Sequence, residues 1–106
     1  MSIEPINPHY NGLSPAQAER PAFFIEECGE AIQAACKVLR HGYESFDPTR
    51  TDAISNRQAL AEEIGHVRAA MHLLHIANDI DASRERVATI IKVKRVRQWM
   101  HHQSEG

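Results

Sequence analysis

Apolar residues recur along this chain at steps of three and four, and no segment shows the strict alternation of a strand. The pattern therefore predicts helices only. The first apolar stripe is Phe24, Cys28, Ile32, Ala35 and Leu39. Ser14-Pro15 is a good helix start, a serine cap followed by proline in the first turn. Pro21 predicts an interruption, so the expectation is a short lead-in helix over 15–20 and a main helix over about 21–40. Gly42 supplies the stop. Residues 43–54, with Asp47-Pro48, read as a loop, and one of that length is often functional. Ser55 and Gln58 fit a capping box ahead of a second stripe, Leu60, Ile64, Val67, Met71 and Leu74, in a helix running to about 78. After a turn at Asp79-Ile80-Asp81, a third helix is expected over about 82–101, with Val87, Ile90, Ile91 and Lys94 leading to Trp99. Residues 1–14 read as an irregular arm and 103–106 as a frayed tail.

These elements predict an all-α fold: an antiparallel helical hairpin plus a third helix, in a single domain spanning residues 1–106. A chain of 106 residues buries only ~60–65% of its unfolded surface, so its core is thin. Self-association into a homodimer or homotetramer, completing a four-helix-type core, is the expected remedy.

Charge narrows the partners. Twelve basic and 14 acidic residues give a formal net charge of -2, whereas a nucleic-acid backbone binder is usually strongly basic. Cys28 and Cys36 lie eight positions apart in one predicted helix. That is about 12 Å of rise, too far for a disulfide. No signal peptide and no long apolar run is visible, so the reading is a soluble, cytoplasmic chain without a membrane partner.

The chemistry is concentrated in two short segments. Glu26-Glu27-Cys28-Gly29-Glu30 lies in the first helix and Glu62-Glu63-Ile64-Gly65-His66 in the second. With Cys28 at the centre of its stripe, Glu27 and Glu30 share one flank about 60° apart. Glu63 and His66 share a flank of the second stripe in the same i, i+3 relation. If the stripes pack together, both pairs converge at the edge of the core. Four such groups repel unless a cation compensates them. A hard divalent ion suits oxygen ligands, and Mg²⁺ held by few protein groups binds phosphates readily. Glu-x-x-Glu pairs are also frequent on ordinary solvated faces; it is the phasing of two pairs on adjacent helices that singles these out. Glu26 and Glu62 read as surface or supporting groups. Gly29 and Gly65 each cost a helix interior about 1 kcal/mol, for which a close helix crossing is one reason and chance the other.

The segments Phe24–Lys37 and Leu60–His66 resemble the Glu-x-x-Glu … Glu-x-x-Asp signature of the MazG-like, all-α nucleoside triphosphate pyrophosphohydrolases. That superfamily includes dimeric dUTPases, dCTP pyrophosphatases and phosphoribosyl-ATP pyrophosphohydrolase. The similarity covers about residues 22–75, and the ending Arg97–Gln103 looks similar to some short phage-encoded members. The resemblance implies hydrolysis of an NTP or dNTP to a monophosphate and pyrophosphate. It assigns metal binding and catalysis to Glu27, Glu30 and Glu63, with one of them or an adjacent glutamate serving the attacking water and Mg²⁺ or Mn²⁺ as cofactor. The family's fourth ligand is aspartate, and here it is His66. Imidazole suits softer divalent metals than Mg²⁺, so the departure leaves three outcomes: a softer metal, weak turnover, or lost catalysis. A histidine ligand must be deprotonated, so metal binding should weaken below about pH 6.5.

Lys37, Arg57, Lys92 and Arg95 are candidates for the triphosphate. Lys37, with Arg40 and His41, equally complements a helix C-terminus, and the basic run 92–97 equally forms a solvated face. Tyr43, Phe46 and Trp99 are candidates to stack on a base, with core packing as the alternative for each. His72 and His75 have i, i+3 spacing but no phased carboxylate. Two other readings stay open. Glu63-x-x-His66 matches half of the di-iron carboxylate motif, which a symmetric dimer would complete. A catalytically inactive helical interaction module is the other.

Overall fold

A computed structural model describes residues 11–103 of the protein. Of the expected N-terminal arm, residues 1–10 lie outside the described set, as do 104–106 of the tail. The described residues form three helices, α1 (Pro15–His41), α2 (Asn56–Ile76) and α3 (Ala82–Trp99), and no strand. The fold is all-α. The chain divides into two compact units, Met1–Met71 and His72–Gly106.

In the first unit, α1 begins where the sequence places it. The Ser14 hydroxyl accepts from Gln17 N–H, and the Gln17 side chain accepts from Ser14 N–H, closing a capping box at 3.1 and 2.9 Å. Pro21 does not divide the helix, contrary to the expected lead-in and main segments. It removes one donor from the second turn, while the capping box secures the end before it and twenty further helical residues follow it. The helix stops at Gly42, whose φ of 88° lies where side chains are disfavoured. The N–H of Gly42 closes the end on Val38 C=O at 2.7 Å.

α2 opens with the expected capping box. Gln58 N–H donates to the Ser55 hydroxyl at 3.1 Å, and Ser55 N–H donates to the Gln58 side chain at 2.9 Å. The Asn56 side chain donates to the carbonyls of Gly42 and Lys37, at 3.0 and 3.4 Å. The start of α2 is thereby tied to the end of α1. Further along, His66 of α2 meets Glu27 of α1, so the two helices run antiparallel.

The buried face of α1 is not the one the large residues predict. Ala34 is buried, with Phe24, Cys28, Ala31 and Val38 half-buried, whereas Ile32 and Leu39 are exposed, Leu39 by 86%. Ile32 and Leu39 lie roughly 60–80° round the helix from Phe24. The face turned inward is instead the alanine side, and Ile25, Ile32 and Leu39 form an outer apolar row seven residues apart. On α2 the fully buried residue is Ala70, and Glu63 is more covered than its neighbour Ile64. Gly29 and Gly65 do not mark a close crossing. A Cβ built on either meets nothing within 4 Å.

In the second unit, α3 is capped by Asp81, whose carboxylate accepts from Arg84 N–H and from the Ser83 hydroxyl. Its residues Val87, Ile90, Ile91 and Val93 are all exposed. Neither cysteine is in a disulfide. Among the described residues, no helix is long and apolar enough to cross a membrane.

Candidate metal centre

The antiparallel hairpin brings the two acidic flanks together. Ligand atoms of Glu27, Glu30, Glu63 and His66 all lie within 4.8 Å of one another. His66 Nδ1 stands 3.3 Å from Glu63 Oε2 and 3.7 Å from Glu27 Oε2. Glu27 and Glu63 are half-buried, whereas His66 is exposed. The side chain of Glu27 is only 13% exposed and that of His66 is 56% exposed.

Electrostatics show what this arrangement lacks. Glu30's carboxyl is held above its ordinary 4.5, first by the charge of Glu27, then by desolvation and by the charge of Glu63. Glu27 Oε2 is buried and accepts no hydrogen bond. A buried acceptor left in this state is costly, and three converging carboxylates add like-charge repulsion. A divalent cation would satisfy both needs. The donor set of three carboxylates and one imidazole is compatible with Mn²⁺ as well as Mg²⁺, and a nitrogen donor suits the softer ion.

A cavity of about 770 Å³ opens beside this cluster, its lining including Glu62, Glu63, Lys37, Arg40 and His41. The 43–54 loop contributes Arg50 and other residues to the lining, and several bonds hold the loop in shape. Asn56 N–H donates to Ser45 C=O and Arg57 N–H to Tyr43 C=O, at 2.9 and 2.8 Å. Asp47 accepts from both the N–H and the hydroxyl of Thr49, at 3.0 and 2.6 Å, and is held below its ordinary pKa by those bonds. Arg50 makes a two-point pair with Asp52, at 3.1 and 3.2 Å.

The four predicted ligands thus come together, and Lys37 reaches the adjoining cavity. Arg57 does not line it. Its guanidinium pairs with Glu44 at 2.7 Å and covers the Tyr43 ring at 4.8 Å, fixing the start of the loop. Lys92 and Arg95 lie on α3, in the second unit, and do not line it either. Sequence reasoning missed Arg50, for which loop residues offer no periodicity; its one signal is a basic residue inside a long, proline-marked loop.

Family models, curated proteins and solved structures were all compared with this chain. None matches.

Proposed function

We propose that this protein is a divalent-metal-dependent nucleoside triphosphate pyrophosphohydrolase of the MazG-like kind, converting an NTP or dNTP and water to the monophosphate and pyrophosphate. One observation carries the reading: a single cavity has Glu63, shared with the carboxylate cluster, on its wall together with Lys37 and Arg40. Polyphosphate chemistry asks for that combination, with anionic groups to hold a metal ion and cationic groups to take the phosphate oxygens the ion does not reach.

In this reading Glu27, Glu30, Glu63 and His66 hold the ion, which neutralises phosphate charge when bound. Lys37 and Arg40 orient the polyphosphate by charge, and Arg50, already paired with Asp52, contributes less. Glu62 is exposed and lines the cavity beside Glu63, and in this reading it would accept the proton of the attacking water. Catalysis then rests on positioning and charge, as phosphoryl-group chemistry generally does. Homodimer or homotetramer formation belongs to the same proposal, since α1 carries an outer apolar row and α3 an exposed apolar set.

The test is turnover. Purified protein is incubated with NTPs and dNTPs in Mg²⁺ or Mn²⁺, and monophosphate and pyrophosphate are measured. Turnover should be faster with Mn²⁺, and His66→Asp should shift the preference toward Mg²⁺. If neither protein releases pyrophosphate from any nucleotide with either metal, the enzyme reading is wrong.

A further inference from the structure

Three aromatic residues are candidates for a base, and the structure separates them. Tyr43 lies under the Arg57 guanidinium. Trp99 lies at the end of α3 and lines neither of the two described cavities. Phe46 is 57% exposed and lines the cavity beside the carboxylate cluster. A phenylalanine left this open to water on a loop forgoes the burial that would stabilise it. The residues on either side of it are held by hydrogen bonds. Ser45, immediately before it, accepts from Asn56, and Asp47, immediately after it, is locked to Thr49.

The cavity lining mixes charged side chains of both signs, Asp47 and Asp52 among the acids, with the apolar Phe46, Ile54, Ala53 and Ala59. A volume of about 770 Å³ falls within the range of small-molecule sites. A ligand that uses both kinds of lining has a charged chain and a flat apolar face.

We propose that Phe46 is the base-binding residue of this site, its ring stacking on the face of the nucleobase while the polyphosphate lies toward Glu63, Lys37 and Arg40. This rests on the pyrophosphohydrolase reading. Stacking on an aromatic ring tolerates any base, so the residue supplies affinity for nucleosides as a class, more for purines, whose faces are larger.

The test compares ligands with and without a base. Binding of dATP, dCTP and inorganic tripolyphosphate is measured by calorimetry, in Ca²⁺ where metal-supported turnover interferes. Wild type, Phe46→Leu and Phe46→Trp are compared. Leucine keeps apolar bulk and removes the ring. It should weaken dATP binding by about 5- to 100-fold, the equivalent of one lost base stack, weaken dCTP less, and leave tripolyphosphate unchanged. Tryptophan should retain or tighten dATP binding. Equal weakening of all three ligands by Phe46→Leu would assign the ring to loop structure and overturn the proposal, as would unchanged dATP affinity. If wild type binds tripolyphosphate and dATP equally, no base subsite exists. If wild type binds no triphosphate at all, the pyrophosphohydrolase reading falls and the stacking role with it.

Discussion

Replacing Glu27 with glutamine should make the metal-free protein more stable and the metal-loaded protein less so. Glu27 is the most enclosed part of the cluster that the exposures resolve, with one oxygen buried and accepting no hydrogen bond. Its ligand atom lies no more than 4.8 Å from that of Glu63. Two like charges at that separation repel by about 1 kcal/mol even in water-like surroundings. Glutamine keeps the shape and removes that repulsion, so Tm in EDTA should rise by ~4–8 °C for a chain of this size. Glu30, raised chiefly by Glu27, should titrate closer to its ordinary 4.5 in the same variant. The metal response should move the other way. Free ion at a hundredfold excess over Kd adds ~2.7 kcal/mol to a protein that binds it only when folded, or roughly 10–20 °C. Glu27→Gln should lose most of that increment with Mn²⁺. Scanning fluorimetry in EDTA and across a Mn²⁺ series measures both effects. A variant less stable than wild type in EDTA, yet with the full Mn²⁺ shift, would show that Glu27 is a structural acceptor rather than a ligand.

Other expectations follow from particular residues. Gly29→Ala and Gly65→Ala meet open space, so each should stabilise its helix by about 1 kcal/mol in urea unfolding; destabilisation by either would reveal a packing partner against that face. The Asp81 carboxyl is held below its ordinary 3.8, first by the N–H of Arg84 and then by the Ser83 hydroxyl. A depressed carboxyl contributes stability that is present above the unfolded value and lost as pH falls through the folded one. Helicity of α3 should therefore decline below about pH 4. Asp81→Asn, which keeps a capping oxygen, should flatten that decline in circular dichroism. Arg57→Ala releases Glu44 and Tyr43, so it should raise KM for nucleotides several-fold through the loosened loop, leaving the Mn²⁺-dependent Tm shift intact; loss of that shift would place Arg57 in the metal site instead.

The helices were legible because their ends carry local chemistry. Ser14 with Gln17, Ser55 with Gln58, and Gly42 act within a turn of their own positions, and each does in the structure what its residue type predicts. The convergence of Glu27 and Glu30 with Glu63 and His66 was legible as a condition: phasing put each pair on one flank of its helix, and the antiparallel hairpin brings the flanks together. What failed was the inner face of α1. Ile32 and Leu39 dominate any hydrophobic count, whereas Ala34 is what the fold buries; an alanine weighs little in such a count but permits close packing. Pro21 misled for a related reason, since a propensity cost of ~3 kcal/mol is local and a long helix outweighs it. The 43–54 loop was legible as a loop, but not which of its residues line the cavity, because loop conformation depends on pairings such as Asn56 with Gly42, which no periodicity encodes.

The loop from Gly42 to Ser55 hangs on a glycine in a left-handed conformation and an asparagine that stitches it to the first helix. The three glutamates and His66 are anchored separately, on helical turns. A lineage can therefore rewrite one wall of the chamber, lengthening it or exchanging its aromatic and basic residues, without disturbing the groups proposed to hold an ion. Ligand preference and reactive machinery become separately heritable traits, and new preferences should arise by changes confined to this short stretch.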